Sequence, residues 1–432
     1  MKILISTITL SSLLLLNGCG SSGNSSSEDK SVAEQGDPVV EQVESPATTD
    51  QSDATGSNSE ELKPNEKLGK LLFFDKSISK TKNTNCATCH DPDHAFIDAR
   101  YQETDTNQTI FVNGAFSVGD DGVSLGGRNA PTATYAMFSP EFGEKDDVYK
   151  GGQFHDGRAA TLKIQAMGPP LDGAEMMMPD KSFVVERIKE NAEYTKQFKE
   201  LYGEDIFDDE DNAFDKMAEA ISDFEKTKEF SPFDSKFDKW VEGKAEFTEL
   251  EKRGFDLFNS DKTSCRLCHT VDSTAIVVDK TGKNRELFTN YEYDNVGAPR
   301  NIVAMDRRAE LGLQPADAKF EGLGGLVEDS THNGKSRVPT LRNISVTAPY
   351  MSNGKFQKLR TVIEFYDFMS GKGTHNINKE TNKAWGENDF PETVNHTELS
   401  QTGNLSDSDI DALIAFLRTL TDEKYEHLIP KR

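Results

Sequence analysis

Three things are scarce in this chain of 432 residues: cysteine, positive charge and apolar side chains. Five cysteines over that length exclude a disulfide-dense scaffold. The 49 Lys and Arg face 74 Asp and Glu, a formal charge of −25, which is the wrong sign for neutralising a phosphate backbone and argues against a nucleic-acid partner. Apolar residues make up 35% of the chain, below the roughly 45–50% of typical domains with Gly counted, so something besides side chains must help fill the core. Long apolar runs are missing as well: outside residues 3–16 no segment is apolar enough to span a bilayer. At roughly 100–200 residues per domain, the length suggests two or three domains and rules out a single small module.

The amino terminus accounts for part of the deficit. Met1-Lys2 is a short basic region, Ile3 to Leu16 is an apolar run too short to span stably, and Leu16-Asn17-Gly18-Cys19 follows. This resembles a bacterial lipoprotein signal, residues 1–18, with its lipobox; an ordinary secretory signal with a chance cysteine is the alternative. Cleavage would leave Cys19 as the lipidated first residue, and several acyl chains anchor far more firmly than one. Gly20 rather than Asp follows, so by resemblance to Gram-negative sorting the expected location is the outer membrane, facing the periplasm and held by lipid alone. Residues 19–61 are rich in Ser, Asp, Glu, Gly and Thr. Between Gly20 and Glu61 they carry ten acids and one Lys, a composition that buries too little surface to fold and reads as a disordered acidic tether. The part beginning near Leu62 keeps roughly −17, a field suited to steering a basic redox partner.

The other four cysteines form two pentapeptides, Cys86-Ala87-Thr88-Cys89-His90 and Cys265-Arg266-Leu267-Cys268-His269. Both are C-x-x-C-H, the spacing that lets two thiols form thioethers with the haem vinyl groups while the next residue turns its imidazole to the iron. A zinc ribbon brings its cysteine pairs within roughly 15–20 residues of each other, and a thioredoxin-like pair needs a βαβ setting; neither fits. The expected cofactors are therefore two covalent c-type haems, whose porphyrins also supply the missing apolar volume.

Apolar residues recur at helical spacing over Leu62–Phe74, Ser182–Leu201, Phe214–Lys228, Leu250–Phe258, Leu359–Phe368 and Ser406–Leu420. Ser406-Asp407-Ser408-Asp409 reads as a capping box. No alternating strand pattern stands out. The expected fold is all-α: two cytochrome c-like haem domains with long loops, residues 62–245 and 246–432, behind the tether.

Six ordered blocks carry a resemblance: Leu68-Gly69-Lys70-Leu71-Leu72-Phe73-Phe74-Asp75, Arg128-Asn129-Ala130-Pro131-Thr132, Asp156-Gly157-Arg158-Ala159-Ala160, Ser231-Pro232-Phe233-Asp234, Val338-Pro339-Thr340-Leu341-Arg342-Asn343 and Thr347-Ala348-Pro349-Tyr350. With the two haem motifs, the chain from Leu68 onward resembles the bacterial di-haem cytochrome c peroxidases and their MauG-type relatives. The resemblance implies that the first haem reacts with peroxide, that Glu175 is the distal acid moving the peroxide proton, and that Gln165 is the distal amide. Read without the family, Glu175 is only a carboxylate in an apolar stretch. Members that need reductive activation carry a removable distal His before the Arg-Asn-x-Pro-Thr block. Here that loop holds only His94, four residues after His90, which implies an open first iron.

His269 is the expected ligand on one face of the second haem. By the same resemblance Tyr366 stands at the ligand position on the other, as in MauG-type members, with Met369 the runner-up and an ordinary core aromatic the alternative for Tyr366. His155 occupies the place where the family has a Trp between the haems. A calcium ion held by the Asn129 side chain and the Thr347 and Pro349 carbonyls is also implied. His332, His375, His396 and His427 lie in polar stretches and read as surface groups, and Trp240 and Trp385 read as packing residues. The leading function is reduction of hydrogen peroxide with electrons from a small periplasmic cytochrome c or cupredoxin. Oxidation of a partner protein, as in MauG, is the second reading, and a plain electron carrier the third. The family also suggests a homodimer.

Overall fold

Helix Pro64–Phe74 starts with proline, whose missing amide is not needed in a first turn, and buries Leu68, Gly69, Leu72 and Phe73 along one face. It crosses helix Glu210–Glu225, which Asp209 caps. The crossing is possible because residue 69 has no side chain: a Cβ there would stand 1.8 Å from the carbonyl oxygen of Ala220 and 3.0 Å from the Cβ of Phe224. The carboxyl half of the chain repeats the device. Helix Glu249–Phe258 opens on a Thr248/Glu251 capping box and helix Asp407–Arg418 on the Ser406/Asp409 box read from the sequence. A Cβ at Gly254 would lie 1.9 Å from Ala412 O and 2.8 Å from the Cβ of Phe416.

Each crossing anchors its own core. The first gathers Leu68, Phe73, Phe96, Val184, Phe198, Met217 and Phe224; the second gathers Phe237, Phe258, Phe288, Leu413 and Phe416. Helix Lys236–Val241 lies on the amino-terminal side of the expected 245/246 division but packs into the second core, where Trp240 stacks on Phe247 with centroids 4.5 Å apart. The described residues of this computed structural model are 61–103, 114–271 and 276–431. The signal, Cys19 and nearly all of the tether fall outside them.

The framework is all-α with long loops. Three short antiparallel ladders decorate it: Gly143–Lys145 with Val148–Lys150, Ile276–Val278 with Asn284–Glu286, and Tyr293–Asp294 with Ser336–Arg337. The helix expected over 182–201 is two, Lys181–Glu190 and Ala192–Tyr202. Asn191 ends the first in extended backbone and caps the second, its side chain accepting from the amides of Glu193 and Tyr194 at 3.0 and 3.4 Å. No helix among the described residues is long and apolar enough to cross a membrane.

The two glycines make a sharp test. Helix propensity alone favours Gly→Ala by roughly 0.8–1 kcal/mol, whereas an overpacked contact costs about 1–3 kcal/mol. Gly69→Ala and Gly254→Ala should therefore each lower the melting temperature of the holoprotein; a rise in thermal denaturation would show that the crossings are looser than described.

Candidate functional site

The two pentapeptides are single helical turns, Cys86–Cys89 and Cys265–Cys268, each tied to the end of its lobe's crossing helix. Asn85 accepts from Thr88 N at 2.8 Å and donates through Nδ2 to Phe74 O at 2.5 Å. Thr263 donates its hydroxyl to Leu257 O at 2.8 Å. All four thiols are free, and burial pushes each of them up. Cys268 also donates to Asp294 Oδ2 at 3.2 Å and to Glu398 Oε2 at 3.3 Å.

The imidazoles are arranged alike. His90 Nδ1 lies 3.0 Å from Phe96 O and His269 Nδ1 lies 2.9 Å from Phe288 O, and both Phe residues take left-handed backbone to present those carbonyls. A carbonyl only accepts, so Nδ1 carries the proton and Nε2 is left with a lone pair for a metal. Burial holds both rings below their ordinary pKa, which keeps them neutral. Two thiols plus one imidazole committed in this way, present twice, is the donor set that c-type haem needs.

Glu175 is held through its backbone and through the loop of Asp120. Its backbone carbonyl accepts from Asp120 N at 2.8 Å. Asp120 is itself pinned by Ser79 Oγ and the amides of Thr81, Asn83 and Thr84 at 2.5–3.0 Å. Burial, then the negative charge of Asp172, pushes the Glu175 carboxyl up to about 7, against a smaller opposing pull from Arg158. Its charge bears on both Cys86 and Cys89. Gln165 lies half-buried in helix Leu162–Ala166. The next short helix begins at Gly168, where a Cβ would meet the Phe154 ring at 3.5 Å.

In the second lobe Tyr366 lies in helix Leu359–Met369. Burial, then the proximity of Cys268 and Cys265, raises its hydroxyl pKa, so the phenol is near both thiols of the motif. The Met369 methyl packs against Gly297, where a Cβ would stand 2.7 Å from it. Asp367, wholly buried, braces this helix by accepting from Leu405 N at 2.8 Å and from His375 Nδ1 at 2.6 Å. His375 is thus a mostly enclosed structural partner rather than the surface group its polar surroundings suggested. His94 bonds Asp91 at 2.8 Å, within the turn that follows His90.

His155 lies where the halves meet. Its Nε2 donates to Asn129 O at 2.9 Å, and its own carbonyl accepts from Arg337 N at 2.8 Å. Burial pushes the ring down to about 4, so it is neutral. The Asn129 amide donates to Gly114 O and Ala115 O at 3.1 and 3.3 Å, leaving Oδ1 available. Asn129 N bonds Ser352 O at 3.0 Å, which brings residue 129 against the loop carrying Thr347 and Pro349. Sequence reasoning missed two cations here. Arg128 stacks over Phe320 at 3.8 Å, and burial lowers its pKa to about 10. Arg337 is also lowered by burial, and the Nε atoms of both are sealed without a hydrogen-bond partner. Both charges bear on His155. Their places in and beside two of the six blocks were the only signal.

A family model described as di-haem cytochrome c peroxidase matches residues 63–246. The chain is 42% identical over 364 residues to the methylamine utilization protein MauG of Paracoccus denitrificans, covering 84% of this chain and 89% of that protein. It is 29% identical over 288 residues to the cytochrome c peroxidase Ccp of Escherichia coli, covering 66% of this chain and 49% of that one. Among solved structures, the diheme peroxidase BthA from Burkholderia thailandensis superposes with a TM-score of 0.68 at 28% identity, covering 85% of this chain and 88% of that one.

The placement of Tyr366 and Met369 gives a direct expectation. Tyr366→Phe should change the low-temperature electron paramagnetic resonance signal of one haem, and Met369→Leu should leave the spectrum as it is. The reverse pattern would make Met369 the ligand.

Proposed function

The chain belongs to the di-haem cytochrome c peroxidase and MauG family and is a haem-dependent oxidoreductase, and on that premise we propose that it reduces hydrogen peroxide at its first haem with electrons relayed through its second. Cys86, Cys89 and His90 would hold the first haem. Cys265, Cys268 and His269 would hold the second, with Tyr366 as its further ligand. Arg128 and Arg337, half-buried cations whose Nε atoms have no hydrogen-bond partner among the described residues, suit the haem propionates. Bound haem supplies the iron and the redox chemistry that splits the O–O bond.

The observation that carries this reading is the Glu175 carboxyl: half-buried, its charge bearing on both thiols of the first motif, and pushed up to about 7. As carboxylate it takes the proton from one peroxide oxygen. As acid it returns that proton to the other, which leaves as water, and such a shuttle works best with a pKa near the operating pH. Gln165 would orient the peroxide by hydrogen bonding. Two electrons and two further protons complete the conversion to two waters, the electrons coming from a small cytochrome c or cupredoxin attracted by the acidic surface. Neutral His155 holds the Asn129 carbonyl between the lobes and replaces an oxidisable indole with a group that is harder to oxidise. Calcium bound by Asn129 Oδ1 and the Thr347 and Pro349 carbonyls is part of the proposal, since hard oxygen donors suit it. So are the lipid anchor at Cys19, the periplasm-facing outer-membrane location and a homodimer.

Oxidation of a partner protein is the second reading, favoured by a phenol near the second motif and by the 42% identity to MauG. The readings part on one measurement: a reduced small cytochrome or cupredoxin consumed at turnover rate supports peroxidase action, and an oxidative mass shift in a partner protein supports the other.

For the leading reading, stopped-flow mixing with peroxide should change the haem spectrum rapidly. Below pH about 7 Glu175 holds its own proton and cannot accept another, so the rate should climb as pH rises through about 7. Glu175→Gln should slow it by about 10²–10⁴-fold and flatten the profile. Unchanged kinetics in that variant would remove Glu175 from the mechanism.

A further inference from the structure

We propose that Glu225 is a proton-binding site coupled to the first haem, a buried carboxyl on the Cys86 side of that cofactor that gains a proton when the haem is reduced and loses it on reoxidation. The proposal rests on the haem reading of Cys86, Cys89 and His90.

The repeated crossing supplies its own control. Aligned on the alanine whose carbonyl meets the glycine, Ala220-Ile221-Ser222-Asp223-Phe224-Glu225 corresponds to Ala412-Leu413-Ile414-Ala415-Phe416-Leu417. At three positions the first lobe has a polar residue where the second has an apolar one, Ser222 for Ile414, Asp223 for Ala415 and Glu225 for Leu417, and of the three polar residues Ser222 and Glu225 are buried. Spaced three apart, Ser222 and Glu225 share one helix face. Ser222 is 1% exposed and Glu225 6%, much like Leu417 at 7%. Ser222 Oγ and Glu225 Oε2 have no hydrogen-bond partner, and Thr227 Oγ1, just past the helix end, has none either. Leaving such groups buried and unpaired is destabilising, and the second lobe shows that leucine fits this place. Packing therefore does not explain the acid.

Its electrostatics point to the cofactor. After burial, Glu225 is the strongest influence on the Cys86 thiol, ahead of Cys89 and Glu175. Among the described residues Lys226 is the cation whose charge acts on Glu225, and it is tied to Asp223 at 3.1 Å. On the elements packed against its helix, Lys70 is paired with Glu229 at 2.7 Å, Lys163 with Asp215 at 2.8 Å and Lys181 with Asp211 at 2.6 Å. Burial pushes the carboxyl up to about 8. The positive charge of an oxidised haem would favour the carboxylate, and adding an electron removes that attraction. The balanced step is ferric haem, one electron, the Glu225 carboxylate and one proton giving ferrous haem and the Glu225 acid. Only an O–H bond forms, and the electron comes from the one-electron donor class named above.

The test is a spectroelectrochemical titration of the holoenzyme at pH values on both sides of 8, for wild type, Glu225→Gln and Glu225→Leu. The first haem's midpoint in the wild type should fall as pH rises through this region. Both variants should lose that segment, and the second haem should titrate alike in all three proteins. Leucine is the second lobe's own residue and glutamine keeps the shape, so both variants should fold. With two haems per chain present by haemochrome assay, a pH-dependent segment that is absent from wild type or survives in Glu225→Gln overturns the proposal. Fewer than two haems would overturn the haem reading itself, and this site with it.

Discussion

Two helices can bring their backbones into contact only where one of them carries no side chain, and everything in this molecule that can hold a cofactor hangs from two such contacts. Gly69 on Ala220 and Gly254 on Ala412 set the crossings. The ends of the crossing helices then hold the motifs, through Asn85 to Phe74 O and Thr263 to Leu257 O. Each motif ends on a histidine whose Nδ1 is committed to a phenylalanine carbonyl. A larger residue at either crossing would push on the ligand geometry as well as on the core.

The lobes meet through apolar clusters, Tyr135 and Phe233 with Leu287 and Tyr291 among them, and through buried polar groups. Within the second lobe Arg342, wholly enclosed, grips Asp238 of helix Lys236–Val241 through two hydrogen bonds of 2.6 and 3.0 Å and donates to Glu286 O, while the Tyr135–Asp422 bond crosses between the lobes. Asp422 accepts from Tyr135 at 2.6 Å and from Asn343 at 2.7 Å. Burial raises the Asp422 carboxyl to about 7, opposed by these hydrogen bonds and by Arg342. An enclosed ion pair contributes little net stability against an apolar substitute, but it tolerates few geometries. Tyr135 contributes from the amino-terminal half, and Arg342 and Asn343 from a block quoted in the sequence.

One scaffold used twice becomes two different sites through a few side chains. Around the first motif stand Glu175 and Glu225, carboxyls that burial holds near neutrality or above. Around the second stand a phenol and the acids Asp294 and Glu398. The framework sets where iron would lie, and these groups set what each iron would do.

The sequence by itself determined what depends on short spacing. The C-x-x-C-H pentapeptides are local chemistry, and so are the capping boxes and the helical periods, which is why most helices lie within a few residues of expectation. The split at Asn191 escaped because one asparagine can end a helix and start another without disturbing the apolar period. The family blocks pointed to Glu175 and Tyr366 but carried no burial, and burial makes the carboxylate in an apolar stretch an acid that titrates near neutrality. Only the tertiary structure showed the charge of the second thiols bearing on Tyr366, the enclosure of His375 and the unpartnered Nε atoms of Arg128 and Arg337. It alone set Glu225 against Leu417. The reason is physical: desolvation and unpaired charge belong to a position in three dimensions, and residues far apart in the chain create them together.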